Sequence, residues 1–161
     1  MSINGEWSWT LLKEGPDTLG ADFRARSLGV HSSLAESLYT LVSPVQQPKM
    51  GMAVLYVHGY TDYFFQSGLA KFFTDMGLAF YALDLQGYGR SLRPNRRPNW
   101  CHSLQDYHND LKVALAQIKQ DGIEQLILLA HSTGALICCD YLSANGREAD
   151  DDRPFIQKLI L

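Results

Sequence analysis

From residue 53 onward the chain alternates between two kinds of hydrophobic block. Ala53-Val54-Leu55-Tyr56-Val57, Leu78-Ala79-Phe80-Tyr81-Ala82-Leu83 and Leu126-Ile127-Leu128-Leu129 are short unbroken apolar runs, the pattern of strands covered on both faces of a parallel sheet. Between them the period lengthens. Leu69, Phe72, Phe73 and Met76 recur at i, i+3, i+4 and i+7, and Leu104, Tyr107, Leu111, Leu115 and Ile118 share one helical face. Gly77 suits the end of the first helix, Ser103 with Asp106 a reciprocal cap opening the second, and Asp121-Gly122 its stop. A third helix is expected from Gly134 to Asn145, closed by Gly146, and a fourth core strand over 155–161.

Strand and helix in strict alternation imply right-handed crossovers, so the predicted fold class is α/β, a mostly parallel sheet with helices on both faces. The core strands lie at about 53–57, 78–83, 126–129 and 155–161. Upstream, Asp22 to Leu28 and Ser37 to Ser43 alternate polar with apolar, which predicts a leading antiparallel pair within about 22–43. Pro44 to Lys49, with prolines at 44 and 48, reads as a linker.

Composition narrows the function classes. With 161 residues, 46% hydrophobic and 19% charged, the chain suits one globular domain. Its net charge of −3 offers no basic footprint for nucleic acid. No run reaches membrane-spanning length, and the first residues lack a secretory pattern. Cys101 and the adjacent Cys138-Cys139 form no disulfide framework, which favours free thiols in a cytoplasmic location. Gly87-Tyr88-Gly89 is followed by Leu92 where a dinucleotide fingerprint needs glycine, so no cofactor is expected, and no metal site is assigned.

In such a fold, chemistry gathers beyond the carboxyl ends of the strands. His58-Gly59-Tyr60, Asp84 with its glycine turn, and Ala130-His131-Ser132-Thr133-Gly134 stand there. A serine between a buried strand and a helix, with small residues two before and two after, has the form of a nucleophile elbow. The turn is too tight for large side chains at those positions, and the following helix aims free N–H groups at developing negative charge. Ser132 and Thr133 also suit a plain helix cap. The His58-Gly59 loop favours the elbow, because an oxyanion hole needs a second backbone N–H.

Together these motifs resemble the serine hydrolases of the α/β-hydrolase fold, in the branch of monoacylglycerol lipases, lysophospholipases and serine aminopeptidase-like proteins. The likeness covers nearly everything from Ala53 to Leu161. It implies Ser132 as nucleophile, with the backbone N–H groups of Tyr60 and Thr133 as the oxyanion hole. His58, Gly59, His131 and Gly134 are implied as support for the loop and the elbow. Ala130 departs from the family's usual glycine. Family members also continue through strands bearing an acid and then a histidine, so residues 1–161 are expected to be the N-terminal part of one such domain, cut after the strand near Phe155 and inactive alone. An exposed last strand predicts self-association.

Other residues hold two readings each. Tyr63, Phe64 and Phe65 suit either an apolar wall for an acyl chain or packing beneath a cap. His31, His102 and His108 suit solvated roles, and Asp84 a turn cap. Arg90, Arg93, Arg96 and Arg97 suit a solvated loop, or a site for a substrate carboxylate or phosphate. The expected reaction is hydrolysis of a carboxylic ester, with a small acyl ester or lipid-like molecule as substrate. The alternatives are peptide or amide cleavage, or a non-catalytic remnant that binds an apolar ligand.

Overall fold

The computed structural model describes residues 2–3, 7–31, 36–48, 51–94, 96–145 and 155–161. Its strands are β1 (Ser2–Ile3), β2 (Trp7–Asp17), β3 (Gly20–His31), β4 (Glu36–Pro44), β5 (Met52–Val57), β6 (Ala79–Asp84), β7 (Gln125–Ala130) and β8 (Ile156–Ile160). The helices are α1 (Ser67–Asp75), α2 (His108–Gln120) and α3 (Thr133–Asn145). These strands form one sheet in the order β1-β2-β3-β4-β6-β5-β7-β8. Pairing is antiparallel from β1 through β4 to β6, then parallel across β6, β5, β7 and β8. The α/β architecture is the one the sequence predicts.

Alternation along β5 and β6 divides the core into two layers. Ala53, Leu55, Val57, Tyr81 and Leu83 face the side covered by α2 and α3, where Leu111, Leu115, Ile118, Ile137 and Tyr141 are buried. Val54, Tyr56, Phe80 and Ala82 face the other side, packed by Ala70 of α1. Both faces are covered, which is why these strands read as unbroken apolar runs. The cap of Ser103 and Asp106 forms as expected, but it opens a 3-10 turn over Leu104–Tyr107 that leads into α2.

Two expectations need correction. The apolar stripe of α1 faces the sheet only through Leu69 and Phe73, with Ala70 between them fully buried, whereas Phe72 and Met76 are exposed. A small alanine at the centre of the contact lets the helix sit close, which rotates 72 and 76 outward. The leading pair near 22–43 is real as β3 and β4, but β2, longer than β4, precedes it. A bulge between Leu11 and Lys13 breaks the two-residue period of β2, leaving Leu11 and Leu12 exposed, so no alternation marks the strand. Gly15 and Pro16 near its end read as breakers, yet pair with Ala25 and Arg24. In the linker, Gln47 accepts the Phe80 N–H at 2.6 Å; Lys49 and Gly146 lie outside the described residues. No described helix is long and apolar enough to cross a membrane.

An ion pair ties the antiparallel half of the sheet to the parallel half. Arg26 of β3, with only 4% of its side chain exposed, forks onto Asp121 at 2.8 and 2.6 Å. Tyr81 Oη and Gln117 Nε2 donate to the same carboxylate at 3.0 Å each. Burial opposes the charge on Asp121, but the Arg26 guanidinium outweighs it and holds the carboxyl below its ordinary range. Asp121→Ala would strand the buried guanidinium, and a loss of about 3 kcal/mol is expected from urea unfolding. Asp121→Asn, which keeps the shape and some of the hydrogen bonds, is expected to lose less.

Candidate active site

The junction of β7 and α3 turns within a few residues. His131 N–H donates to the Val57 carbonyl at 3.0 Å, and the helix ladder begins with Gly134 N–H to His131 O and Ala135 N–H to Ser132 O, both at 2.9 Å. Ser132 between them has φ of 54°. Left-handed backbone costs a non-glycine residue about 1–3 kcal/mol and persists only where the surroundings enforce it. Here they do. The strand is held at its last residues by β5, the helix starts at Thr133, and the serine bridging them is left exposed. Thr133, as first residue of α3, has an N–H with no partner inside the helix.

Gly134 shows how tight this corner is. A Cβ there would run into the His58 carbonyl oxygen and lie 2.7 Å from that of Val57. Any side chain would push α3 away from the end of β5. Across the same gap, a Cβ on Gly59 would stand 3.1 Å from His131 Nδ1 and 3.2 Å from Ser132 Cβ. The 58–60 loop and the serine are therefore direct neighbours, although they come from different strands.

His58 fixes that loop from below. Its ring is buried, with Nδ1 2.8 Å from the Gly59 carbonyl and Nε2 3.2 Å from the Leu85 amide. Because Leu85 can only donate, Nε2 is the acceptor and Nδ1 carries the hydrogen. The ring packs on Tyr88 at 4.8 Å. Burial lowers the imidazole pKa below its usual 6.5.

The aromatic residues after the loop separate. Tyr60, 60% exposed, stands open with Tyr63 and Phe65. Phe64 does not: it is completely buried among Phe23, Tyr56 and Phe80, with ring centroids 5.4–6.2 Å apart. Its assignment to a substrate-facing wall is thus corrected. A run of aromatics on an irregular loop carries no period to tell which ring turns inward. Tyr63 and Phe65 touch at 5.6 Å on the open side.

Asp84 is more than a turn cap. Fully buried, it accepts the Phe64 N–H at 2.9 Å and the Arg90 N–H at 3.0 Å, and pairs with the Arg90 side chain at 2.8 Å. Arg90 accordingly leaves the solvated cluster, whereas Arg93, Arg96 and Arg97 are exposed. The other histidines stand apart from this corner. His102 is exposed with its ring on Trp100, and His108 pairs with Asp140 at 2.9 Å. The side chain of His31 lies outside the described residues.

Sequence reasoning missed Asp110. It is wholly buried on α2, accepts the Gln86 N–H at 2.7 Å, and burial pushes its pKa well above the usual carboxylate range. A lone aspartate beside Leu111 on the apolar face of a predicted helix was the available signal. Among the described residues, no three histidine, cysteine or acidic side chains gather as metal ligands do.

A strained serine between parallel strand and helix, facing a glycine loop from the adjacent strand, is the arrangement of α/β-hydrolases. Residues 48–161 match the family described as serine aminopeptidase, S33, and the chain belongs to it. Solved structures agree on the fold. The structure described as a probable hydrolytic enzyme of Pseudomonas aeruginosa PAO1 is 17% identical at a TM-score of 0.62, covering 84% of this chain and 39% of that one. An epoxide hydrolase of Vigna radiata is 16% identical at 0.55, covering 76% and 35%, and Cfl2 of Burkholderia cenocepacia is 17% identical at 0.61, covering 91% and 43%. The chain thus spans less than half of each. Among curated proteins, none matches in sequence.

The buried neutral His58 makes stability depend on pH. In the unfolded chain the imidazole takes a proton near 6.5, whereas the folded site resists it. The unfolded state therefore binds more protons below pH 6.5, and this contribution to stability is lost as pH falls from there toward the lowered folded value. Asp110 acts oppositely, because its raised pKa favours the folded state at low pH. The informative quantity is the difference between wild type and His58→Asn in urea melts from pH 8 to pH 5. The wild-type advantage is expected to shrink on acidification, and a constant difference would contradict it.

Proposed function

We propose that this chain supplies the nucleophile and the oxyanion-binding half of a serine hydrolase acting on carboxylic esters. Ser132 Oγ attacks the substrate carbonyl carbon, and the N–H groups of Tyr60 and Thr133 receive the oxyanion. Collapse of the tetrahedral adduct breaks the bond to the leaving alcohol, which takes the proton released by Ser132. Water then attacks the acyl-serine, returning the carboxylic acid and the free hydroxyl. The base that carries these protons and the acid that orients it belong to sequence outside residues 1–161 in this reading, so the chain by itself turns over slowly. The single observation that carries it is the left-handed Ser132 in van der Waals reach of the Gly59 loop.

The exposed Tyr60, Tyr63 and Phe65 beside this corner favour an acyl ester or lipid-like molecule over a highly polar substrate. The S33 aminopeptidase description of the family supports the rival reading, cleavage of peptides or amides. Binding of an apolar ligand without catalysis is the reading left if Ser132 proves inert. The test uses the longest natural polypeptide containing this sequence, treated with a fluorophosphonate probe and then offered p-nitrophenyl esters and aminoacyl anilides. Labelling that disappears in Ser132→Ala, with ester turnover exceeding anilide turnover, is expected. Anilide preference would move the assignment to peptidase, and no labelling would end the hydrolase reading.

The outer edge of β8, with Ile160 and Leu161 exposed, also favours self-association of the isolated 161-residue chain. Light scattering across a hundredfold concentration range is expected to show mass rising with concentration; a constant monomer mass would refute this.

A further inference from the structure

Tyr60 sits on a short span held at both ends by the loop that follows β6. At one end His58 bonds to Leu85. At the other, Phe64 is gripped three ways: Asp84 Oδ1 accepts its N–H at 2.9 Å, Arg90 Nη1 donates to its carbonyl at 2.9 Å, and its ring is locked in the core. Between these posts the backbone is itself constrained, with Thr61 at φ of 54°. The amide of Tyr60 thus has little freedom except that allowed by the posts.

The second post is not self-supporting. Arg90 can reach the Phe64 carbonyl only if its guanidinium is turned correctly, and that orientation is set from the far side. Asp17, at the tip of the β2–β3 hairpin, takes Nη2 on Oδ1 at 2.7 Å and Nε on Oδ2, a two-pronged grip on a planar group. The side chains of Arg90, Asp17 and Asp84 are 12%, 1% and 0% exposed. Little water is available to substitute for a lost partner, and a charge left single here would be costly. Gly89 completes the fit. At φ of 44°, a Cβ on it would stand 2.5 Å from both Asp84 Oδ2 and Tyr63 Cβ, so the loop closes on the pair only with glycine.

We propose that Arg90, held by Asp17 and Asp84, is a positioning residue for the oxyanion loop, so that the tip of the N-terminal β2–β3 hairpin sets where the Tyr60 amide points. The arginine touches no reacting atom. It acts by fixing the carbonyl and, through Asp84, the amide of Phe64, and the consequence for catalysis rests on the ester-hydrolase reading above. Only Arg forks in this way: a lysine could keep the charge but could not bridge Asp17, Asp84 and a carbonyl in one plane.

Arg90→Lys and Asp17→Asn test this in the longest natural polypeptide containing the sequence. The first readout is independent of activity. Amide hydrogen exchange at residues 60–64 is expected to accelerate at least tenfold in either variant, while Val54 to Val57 in β5 stay as slow as in wild type. The second readout is kinetic: with p-nitrophenyl butyrate, kcat is expected to fall about tenfold or more with KM changed less than twofold. Affinity for an alkyl boronic acid, whose adduct on serine carries an oxyanion-like oxygen, is expected to fall in parallel. Unchanged exchange at 60–64, or an equal rise throughout the sheet, overturns the proposal whatever the kinetics. Faster local exchange with kcat intact overturns its catalytic part. If wild type neither hydrolyses esters nor labels with the probe, the hydrolase reading fails, and the exchange result alone decides whether the strut exists. Should Arg90→Lys fail to fold, Asp17→Asn, which leaves the Arg90–Asp84 pair in place, carries the same comparison.

Discussion

The near-contact between α3 and the end of β5 governs the geometry of this molecule. Where Gly134 passes the carbonyls of Val57 and His58 there is no room for a single carbon atom. Two adjacent parallel strands thus end at a common height, with a helix leaving one and a loop leaving the other. The serine at the start of that helix has nowhere to relax except into left-handed backbone, and the glycine loop lies against it. Strain at Ser132 and proximity of Gly59 are two consequences of one packing constraint. Neither needs a dedicated interaction of its own, because the β5–β7 ladder and the α3 hydrogen bonds enforce both.

That constraint explains what was legible in the sequence. The core strands stand where the apolar runs put them, because a strand buried on both faces cannot hide its composition. The sharp turn at Ser132 was legible for a similar reason, since Gly134 marks a contact in which size alone decides. What the sequence concealed has other causes. β2 carries a bulge that destroys alternation, and its prolyl end looks like a break. Phe64 differs from Tyr63 and Phe65 only in its place on an irregular loop, where no period predicts direction. Arg90 looked like its neighbours Arg93, Arg96 and Arg97, because its partner Asp17 stands far away in the chain.

The N-terminal strands extend the sheet on one side, and their charged side chains tie them to the loops around the site. Arg26 fastens β3 to the end of α2, and Asp17 fastens the β2–β3 tip to Arg90. A hairpin pinned at its tip and again midway along β3 moves with the parallel core. Apolar packing could hold it as firmly, but with less directional precision. Two forked arginine pairs add orientation to cohesion, and orientation is what the oxyanion role proposed for the Tyr60 amide requires.

Charge balance around the corner points the same way. A corner proposed to accept negative charge should not face an unpaired carboxylate, because repulsion between nearby charges would oppose the oxyanion. Asp84 is the carboxylate nearest in sequence to the Leu85 amide that holds His58, and it is fully buried. Arg90 answers its charge directly, and Asp17, though it adds a second negative group, is turned toward the outer side of the same guanidinium. His58 stays neutral through burial, so its Nδ1–H is spent on the Gly59 carbonyl rather than on a counter-ion. Asp110 is instead driven toward its protonated form by burial, which outweighs the opposing charge of Arg96. Arg90 thus offsets part of the charge of the two carboxylates behind the loop and burial favours the neutral form of Asp110, so the amides proposed to receive an oxyanion face less negative charge than three ionised groups would impose, with Asp62 left in the loop itself.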